Sequence, residues 1–102
     1  TCNGNYFGII VASTDGEIVD NFCERNRNIG IAATSSGNFI ARNRCHGNGY
    51  DPNAQIESDY PGSTGNYFLN ASSAFGPIVN VAGAGNILTV TNADHPQANF
   101  EF

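Results

Sequence analysis

The segment IVDNFCERN at residues 18–26 recurs as IARNRCHGN at residues 40–48. At this interval of 22 residues the two segments share an isoleucine, two asparagines and a cysteine at equivalent positions. Residues 8–11 fall on residues 30–33 at the same interval, and the first cysteine precedes the second by 21 residues. A period this short, rich in β-branched residues and punctuated by Asn and Gly, favours the coil of a β-solenoid over a helical repeat.

The period predicts columns of equivalent residues, one above another in successive coils. Neighbouring strands lie about 4.8 Å apart, so stacked side chains pack directly on each other. Three cysteines cannot all pair within the chain, and stacked side chains point in parallel directions, so we expect mostly free, buried thiols. The predicted columns are a cysteine ladder of Cys2, Cys23 and Cys45, one aliphatic ladder of Ile9, Ile31, Ile56 and Ile78, another of Ile18, Ile40, Phe68 and Leu88, and an amide ladder of Asn21 and Asn43.

The repeat is interrupted by an insertion at residues 47–64, where Gly and Pro cluster. Around it the pattern predicts a single module over residues 1–102 with about four coils. On the outer surface the period places Asp20 opposite Arg42 and Glu24 opposite His46, as pairs of opposite charge. The predicted strands cover residues 8–12, 17–22, 30–33, 38–42, 54–57, 66–69, 78–81 and 87–90.

The charge balance limits the partners of this chain. Its only strong bases are four arginines, and the formal net charge is -5. Binding to nucleic acid requires a basic face, so we expect no nucleic-acid partner. No apolar run reaches the roughly 18 to 20 residues that a membrane-spanning helix needs.

The segment GNFIARN at residues 37–43, followed by HGNG at 46–49, resembles a coil of the right-handed parallel β-helix proteins of the pectate-lyase-like superfamily. Residues 76–83 and 92–100 are similar to the C-terminal end of bacterial secreted proteins of that class. The resemblance implies an all-β, right-handed parallel β-helix and an extracellular or cell-surface location. It implies little about activity, because one solenoid serves lyases, hydrolases, adhesins and inert fibres.

The chain departs from the enzymes of that superfamily. Resemblance to the lyases would imply a basic residue that faces calcium ligands, and resemblance to the hydrolases would imply a cluster of aspartates. In this chain the acidic residues are scattered, and the arginines stand at positions 25, 27, 42 and 44. We therefore expect no catalytic residues, no cofactor, and a structural or binding role rather than catalysis.

An acidic run at residues 51–59 has an oxygen-bearing side chain at every second position, as calcium loops often do. Asp51, Glu57 and Asp59 are the candidate calcium ligands. The alternation also describes a strand with a polar outer face and Ala54 and Ile56 inside, and this interpretation is preferred.

The chain begins in the middle of a coil, so its first strands are expected to expose unpaired main-chain groups. Three explanations remain open: missing upstream coils, a capping partner, or head-to-tail stacking of identical chains into a filament. The alternative class is a carbohydrate-binding or carbohydrate-active β-helix that binds polysaccharide beside the insertion. In that case Tyr50 and Tyr60 would stack on sugar rings.

Overall fold

The computed structural model describes residues 1–63 and 65–102, apart from the side chain of residue 88. Within that part, short strands joined by turns dominate. One helix, α1 (Ile56–Asp59), and one 3₁₀ turn at Ile87–Thr89 are the exceptions. The strands are β1 (Cys2–Asn3), β2 (Phe7–Val11), β3 (Glu17–Val19), β4 (Phe22–Glu24), β5 (Ile29–Ala33), β6 (Phe39–Ala41), β7 (Arg44–His46), β8 (Tyr67–Leu69), β9 (Ala74–Phe75), β10 (Ile78–Asn80) and β11 (Asn99–Glu101).

The described strands form three parallel sheets. The first has the order β1-β4-β7-β11-β10, the second β2-β5-β8 and the third β3-β6-β9. From β1 to β9 consecutive strands enter the first, second and third sheet in turn, and strands one period apart pair with each other. The prediction of an all-β chain is confirmed, and its strands pair in parallel.

A coil is a set of three consecutive strands, one in each sheet. Between the first and second coils, most paired residues are 22 positions apart, which is the period seen in the sequence. Ile9 pairs with Ile31 in the second sheet, and Ile18 pairs with Ile40 in the third. In the first sheet Cys23 lies between its two cysteine neighbours. The repeat in the sequence therefore becomes direct lateral contact between strands.

The main core lies between the three sheets, because each contributes inward-facing side chains to one cluster. β-Branched and small residues dominate this cluster, which suits the narrow space between short strands. Its buried members are Ile18, Cys23, Ile31, Ala33, Ile40, Cys45 and Tyr67.

Asparagine ladders hold the turns between the sheets. Asn48 Oδ1 accepts hydrogen bonds from both the main-chain N–H (3.0 Å) and the Nδ2 (2.8 Å) of Asn26. In turn, Asn48 Nδ2 donates to the Cys23 carbonyl at 2.8 Å and to Asn66 Oδ1 at 3.0 Å. Because each of these amides bonds to groups of neighbouring coils, the turns can be buried; among the described residues, Asn28 Oδ1 is the one buried polar side-chain atom without a hydrogen-bond partner.

The insertion covers the outer face of the second sheet. Tyr60, directly after α1, packs with Ile29 and Ala32 of β5 and with the partly buried Phe7 and Phe68. The central strand β5 is therefore buried at all five positions, by the main core on one face and by the insertion on the other.

The last strand joins the first sheet in an unexpected position. β11 lies between β7 and β10, with Phe100 in register with Arg44 and with Val79. Tyr67 Oη donates a 2.7 Å hydrogen bond to the Phe100 carbonyl. A Cβ on Gly76 would collide with the carbonyl oxygen of Gln97, so this approach requires glycine.

Several predicted positions beyond residue 47 are wrong. Ile56 lies in α1, so the predicted strand at 54–57 is absent and Ile31 pairs with Tyr67 instead. Ile78 pairs with Asn99 in the first sheet, not in the aliphatic ladder of the second. The cause is the insertion, which contains a helix and separates the paired residues 31 and 67 by 36 positions instead of the expected 25.

The second aliphatic ladder is corrected for the same reason. Ile40 pairs with Phe75, whereas Phe68 pairs with Ala32 and packs on the outer face of β5. Leu88 lies in the 3₁₀ turn instead of a strand at 87–90, and its place in the ladder falls outside the described side chains. The second and third sheets therefore hold three levels, not four.

The predicted strand at 17–22 is two strands. Asp20 separates β3 from β4 with a left-handed backbone (φ 58°), and Arg42 in the next coil does the same (φ 57°). These left-handed residues mark the corner at which the chain passes from the third sheet to the first.

Candidate functional site

One end of the three sheets is open. β1, β2 and β3 are each the edge strand of their sheet, and all three belong to the first coil. Edge strands present main-chain N–H and C=O groups that can pair with a further strand. The described part of the chain thus offers a surface for strand addition in all three sheets at once.

Three core residues in β1 and β2 of the first coil are only partly covered, whereas Ile18 in β3 is buried. Cys2, Ile9 and Val11 are partly buried, whereas their partners one coil later, Cys23, Ile31 and Ala33, are fully buried. The difference arises because a core residue in this fold is covered by the coils on both sides, and the first coil is covered on one side alone. The open end is therefore apolar at its centre.

The asparagine ladders also end at this surface. Within the described residues, the Oδ1 atoms of Asn5 and Asn21 accept no hydrogen bond. One coil later, Asn26 Oδ1 accepts the Asn5 N–H (3.0 Å) and Asn43 Oδ1 accepts the Asn21 N–H (3.0 Å). The open amide oxygens are thus the groups that would receive N–H donors from a preceding coil.

The three stacked cysteines are free thiols. A hydrogen bond with Cys45, together with burial, raises the pKa of Cys23 far above its ordinary value. Burial and the neighbouring Cys23 also raise the pKa of Cys2. A protonated, buried thiol is a poor nucleophile and a poor metal ligand, so these side chains act as core residues.

The candidate calcium ligands do not converge. Arg27 Nε donates to Asp51 Oδ2 at 2.8 Å, Asn28 Nδ2 donates to Asp59 at 3.2 Å, and Glu57 accepts the Gly62 N–H at 3.3 Å. No group of three His, Cys, Asp or Glu side chains suited to a metal ion occurs in the described residues.

The two tyrosines proposed for sugar stacking have different environments. Tyr60 is only 7% exposed and packs against Phe68 with a ring-centroid distance of 5.5 Å, so it cannot present a face to a ligand. Its role in sugar binding is therefore a wrong prediction. Tyr50 is 59% exposed and lines two surface pockets.

The predicted surface pairs are in contact. Arg42 binds both carboxylate oxygens of Asp20, at 3.0 and 3.2 Å, and this hydrogen bonding lowers the pKa of Asp20. His46 Nδ1 lies 3.4 Å from Glu24 Oε1. The Asn53 N–H and then Arg27 lower the pKa of Asp51. These pairs explain two of the four arginine side chains as surface structure.

A surface pocket of about 470 Å³ lies beside the insertion, where the sequence predicted a sugar site with Tyr50, but the place of Arg25 in it was not predicted. The pocket is lined by Arg25, His46, Gly47 and Tyr50. Arg25 has a left-handed backbone with φ 52°, and no hydrogen bond or ion pair of its guanidinium occurs in the described residues. A signal was present in the sequence, since Arg25 falls on Gly4 and Gly47 in the repeat.

Comparison with protein-family models, curated proteins and solved structures gave no match. In the described part of the chain, no helix combines the length and apolar character needed to cross a membrane.

Proposed function

We propose that this chain is a right-handed parallel β-helix module that functions by stacking end to end with a second copy of itself. The parallel pairing of strands one period apart supports the β-helix, and crossover connections between parallel strands are almost always right-handed. The main support for end-to-end stacking is that three edge strands lie together at one apolar end of the sheets. The resemblance to secreted β-helix proteins supports an extracellular or cell-surface setting.

The direction of the asparagine ladders defines what the open end can accept. Each Oδ1 in a ladder receives an N–H from the coil before it, as Asn48 receives that of Asn26 and Asn99 receives that of Asn43. Asn5 and Asn21 would receive the same bonds from another coil of this type. An unrelated strand would not supply both donors at the spacing of two turns.

A second copy provides a matching edge in the first sheet. The opposite edges of the three sheets are β10, β8 and β9, and every strand pair within the sheets is parallel. Head-to-tail stacking would pair β10 of one copy with β1 of the next and keep these strands parallel. Because the first sheet has five described strands and the other two have three, β8 and β9 end two strand levels before β10 and would not reach β2 and β3 in the same contact. Such a contact is heterologous and does not close, so it produces a filament.

The test is a substitution that blocks the edge without disturbing the fold. Thr34 N–H donates to the Val11 carbonyl, so Val11 faces β5 and the main-chain groups of its neighbour Ile10 face the open end. Ile10→Pro removes that outward N–H at an edge position, where proline is tolerated. Ile10→Thr keeps the N–H and β-branching and is the matched control.

Wild type and Ile10→Thr should grow in mass with concentration in sedimentation velocity and form rods in electron micrographs, whereas Ile10→Pro should stay monomeric with an unchanged circular dichroism spectrum. A wild-type chain that stays monomeric at millimolar concentration would overturn the proposal, as would rods of Ile10→Pro.

A further inference from the structure

Arg25 occupies a backbone conformation that the same column otherwise assigns to glycine. It follows β4 with φ 52°, whereas the residues that follow β1 and β7 are Gly4 (φ 72°) and Gly47 (φ 61°). The left-handed region is unfavourable for a residue with a Cβ, and strain of this kind concentrates at functional positions. Asp15, Asp20, Arg42 and Asn92 also have a positive φ, so it is the pocket beside Arg25, and not its backbone alone, that distinguishes this residue.

The neighbouring glycine leaves room above the arginine. A Cβ built on Gly47 would meet Arg25 Cγ at 3.9 Å, so the arginine stem lies against the bare Gly47 backbone. Beyond it opens the pocket of about 470 Å³ shared with His46 and Tyr50. This volume is in the range of small-molecule sites.

The guanidinium of Arg25 differs from those of the other three arginines. Arg27 binds Asp51, Arg42 binds Asp20, and Arg44 lies over the Phe22 ring at 5.1 Å. Among the described residues, no contact of that kind engages Arg25. In a chain with a net charge of -5, an unpaired arginine at the mouth of a pocket is a built-in site for an anion.

The rest of the pocket defines the shape of that anion. Tyr50 presents an exposed ring, and His46 is held by stacking on Phe102 at 4.7 Å and by Glu24 at its Nδ1. Glu24 is thus engaged by His46, and Asp51 is engaged by Arg27. We propose that this pocket binds a small carboxylate carried on a six-membered ring, with the carboxylate on Arg25 and one face of the ring on Tyr50.

The test uses two ring carboxylates from different sources, glucuronate and 4-hydroxybenzoate, with glucose and phenol as uncharged controls. Each is titrated into the ¹⁵N-labelled chain, and the amide signals of Gly47 and Tyr50 are followed by NMR. At least one carboxylate should move the Gly47 and Tyr50 amide signals by amounts that level off as its concentration rises. The matching uncharged control should leave both signals in place. Which one binds identifies a sugar or an aromatic source.

Arg25→Gly should weaken binding by roughly tenfold or more, because one charge-assisted pair is lost. The same variant should raise the melting temperature, since glycine relieves the strained backbone, and therefore loss of binding cannot be a folding defect. Arg44→Gln makes the same change in charge outside the pocket and should bind as wild type does. Absence of saturable shifts with both carboxylates, or unchanged affinity in Arg25→Gly, would overturn the proposal.

Discussion

Asparagine is the residue that makes the turns of this fold stable. Asn43 is fully buried, and its Oδ1 accepts the N–H of Asn21 while its Nδ2 donates to the Ile18 carbonyl at 2.8 Å and to Asn99 Oδ1 at 3.0 Å. A short amide carries both a donor and an acceptor, so it can serve the coils above and below at once. No aliphatic residue of similar size could replace it.

Asn43→Ala should lower the free energy of unfolding by roughly 3 kcal/mol, because it leaves buried polar groups in two neighbouring coils without hydrogen-bond partners. Asn21→Ala removes a half-buried amide at the open end of the same ladder and should cost about 1 kcal/mol. Urea unfolding followed by circular dichroism measures both. Equal losses of stability in the two variants would show that the interior asparagine contributes no more to stability than the one at the open end.

The buried thiols predict a loss of stability at alkaline pH. In the unfolded chain a thiol ionises near pH 8.5, whereas Cys23 stays protonated in the folded chain because its pKa is raised. Its contribution is therefore complete below about pH 8 and is lost as the pH rises further, at up to roughly 1.4 kcal/mol per pH unit.

Urea unfolding at pH 7, 9 and 10 tests this prediction. Cys23→Ala should have a lower stability at pH 7 but a shallower decline between pH 9 and pH 10. An identical decline in the two proteins would mean that the thiol does not carry the effect.

At the scale of elements, the insertion determines how the second sheet is covered. β5 is buried on both faces, and its outer face depends on Tyr60, which stands beside Ile29 and Ala32. The pKa of Tyr60 is raised by this burial and by the neighbouring Asp59. The insertion is thus a packed part of the fold, anchored by one aromatic ring.

Tyr60→Ala should cost roughly 3 kcal/mol, because it leaves a cavity over β5. Tyr50→Ala removes an exposed ring of the same size and should change stability by less than about 0.5 kcal/mol. Thermal unfolding of the two variants compares the buried and exposed tyrosines directly. A neutral Tyr60→Ala would contradict the anchoring role.

At the scale of the whole molecule, β11 connects β7 to β10 across the first sheet. The Phe100 N–H donates to the Asn43 carbonyl at 2.8 Å, and Asn99 Nδ2 donates to the carbonyls of Ile40 (3.2 Å) and Gly76 (3.0 Å). A strand from the last residues therefore completes an asparagine ladder that begins in the first coil. We infer that the coils and this strand unfold together.

Hydrogen exchange tests this cooperativity. The amide of Phe100 should exchange as slowly as that of Ile31, because both require global unfolding. The amide of Ala84, in an exposed turn, should exchange much faster. Fast exchange at Phe100 would indicate that β11 opens independently of the coils.

The sequence by itself determined the first two coils. Residues 7–46 repeat at a constant interval of 22, so equivalent residues such as Cys23 and Cys45, or Ile18 and Ile40, could be paired from their spacing. It also placed Asp20 opposite Arg42, because outward positions share the register of the core. These inferences needed only the fixed distance between neighbouring strands.

Only the tertiary structure decided the rest. The insertion breaks the period, and beyond it nothing local distinguishes Tyr67 from Ile56 as the partner of Ile31. The place of Asn99 in the amide ladder, and the pocket that joins Arg25 to Tyr50, depend on contacts across tens of residues. A regular repeat predicts which residues of neighbouring strands pair. After an insertion the pairing is decided by which surfaces pack best, and packing exists only in the folded chain.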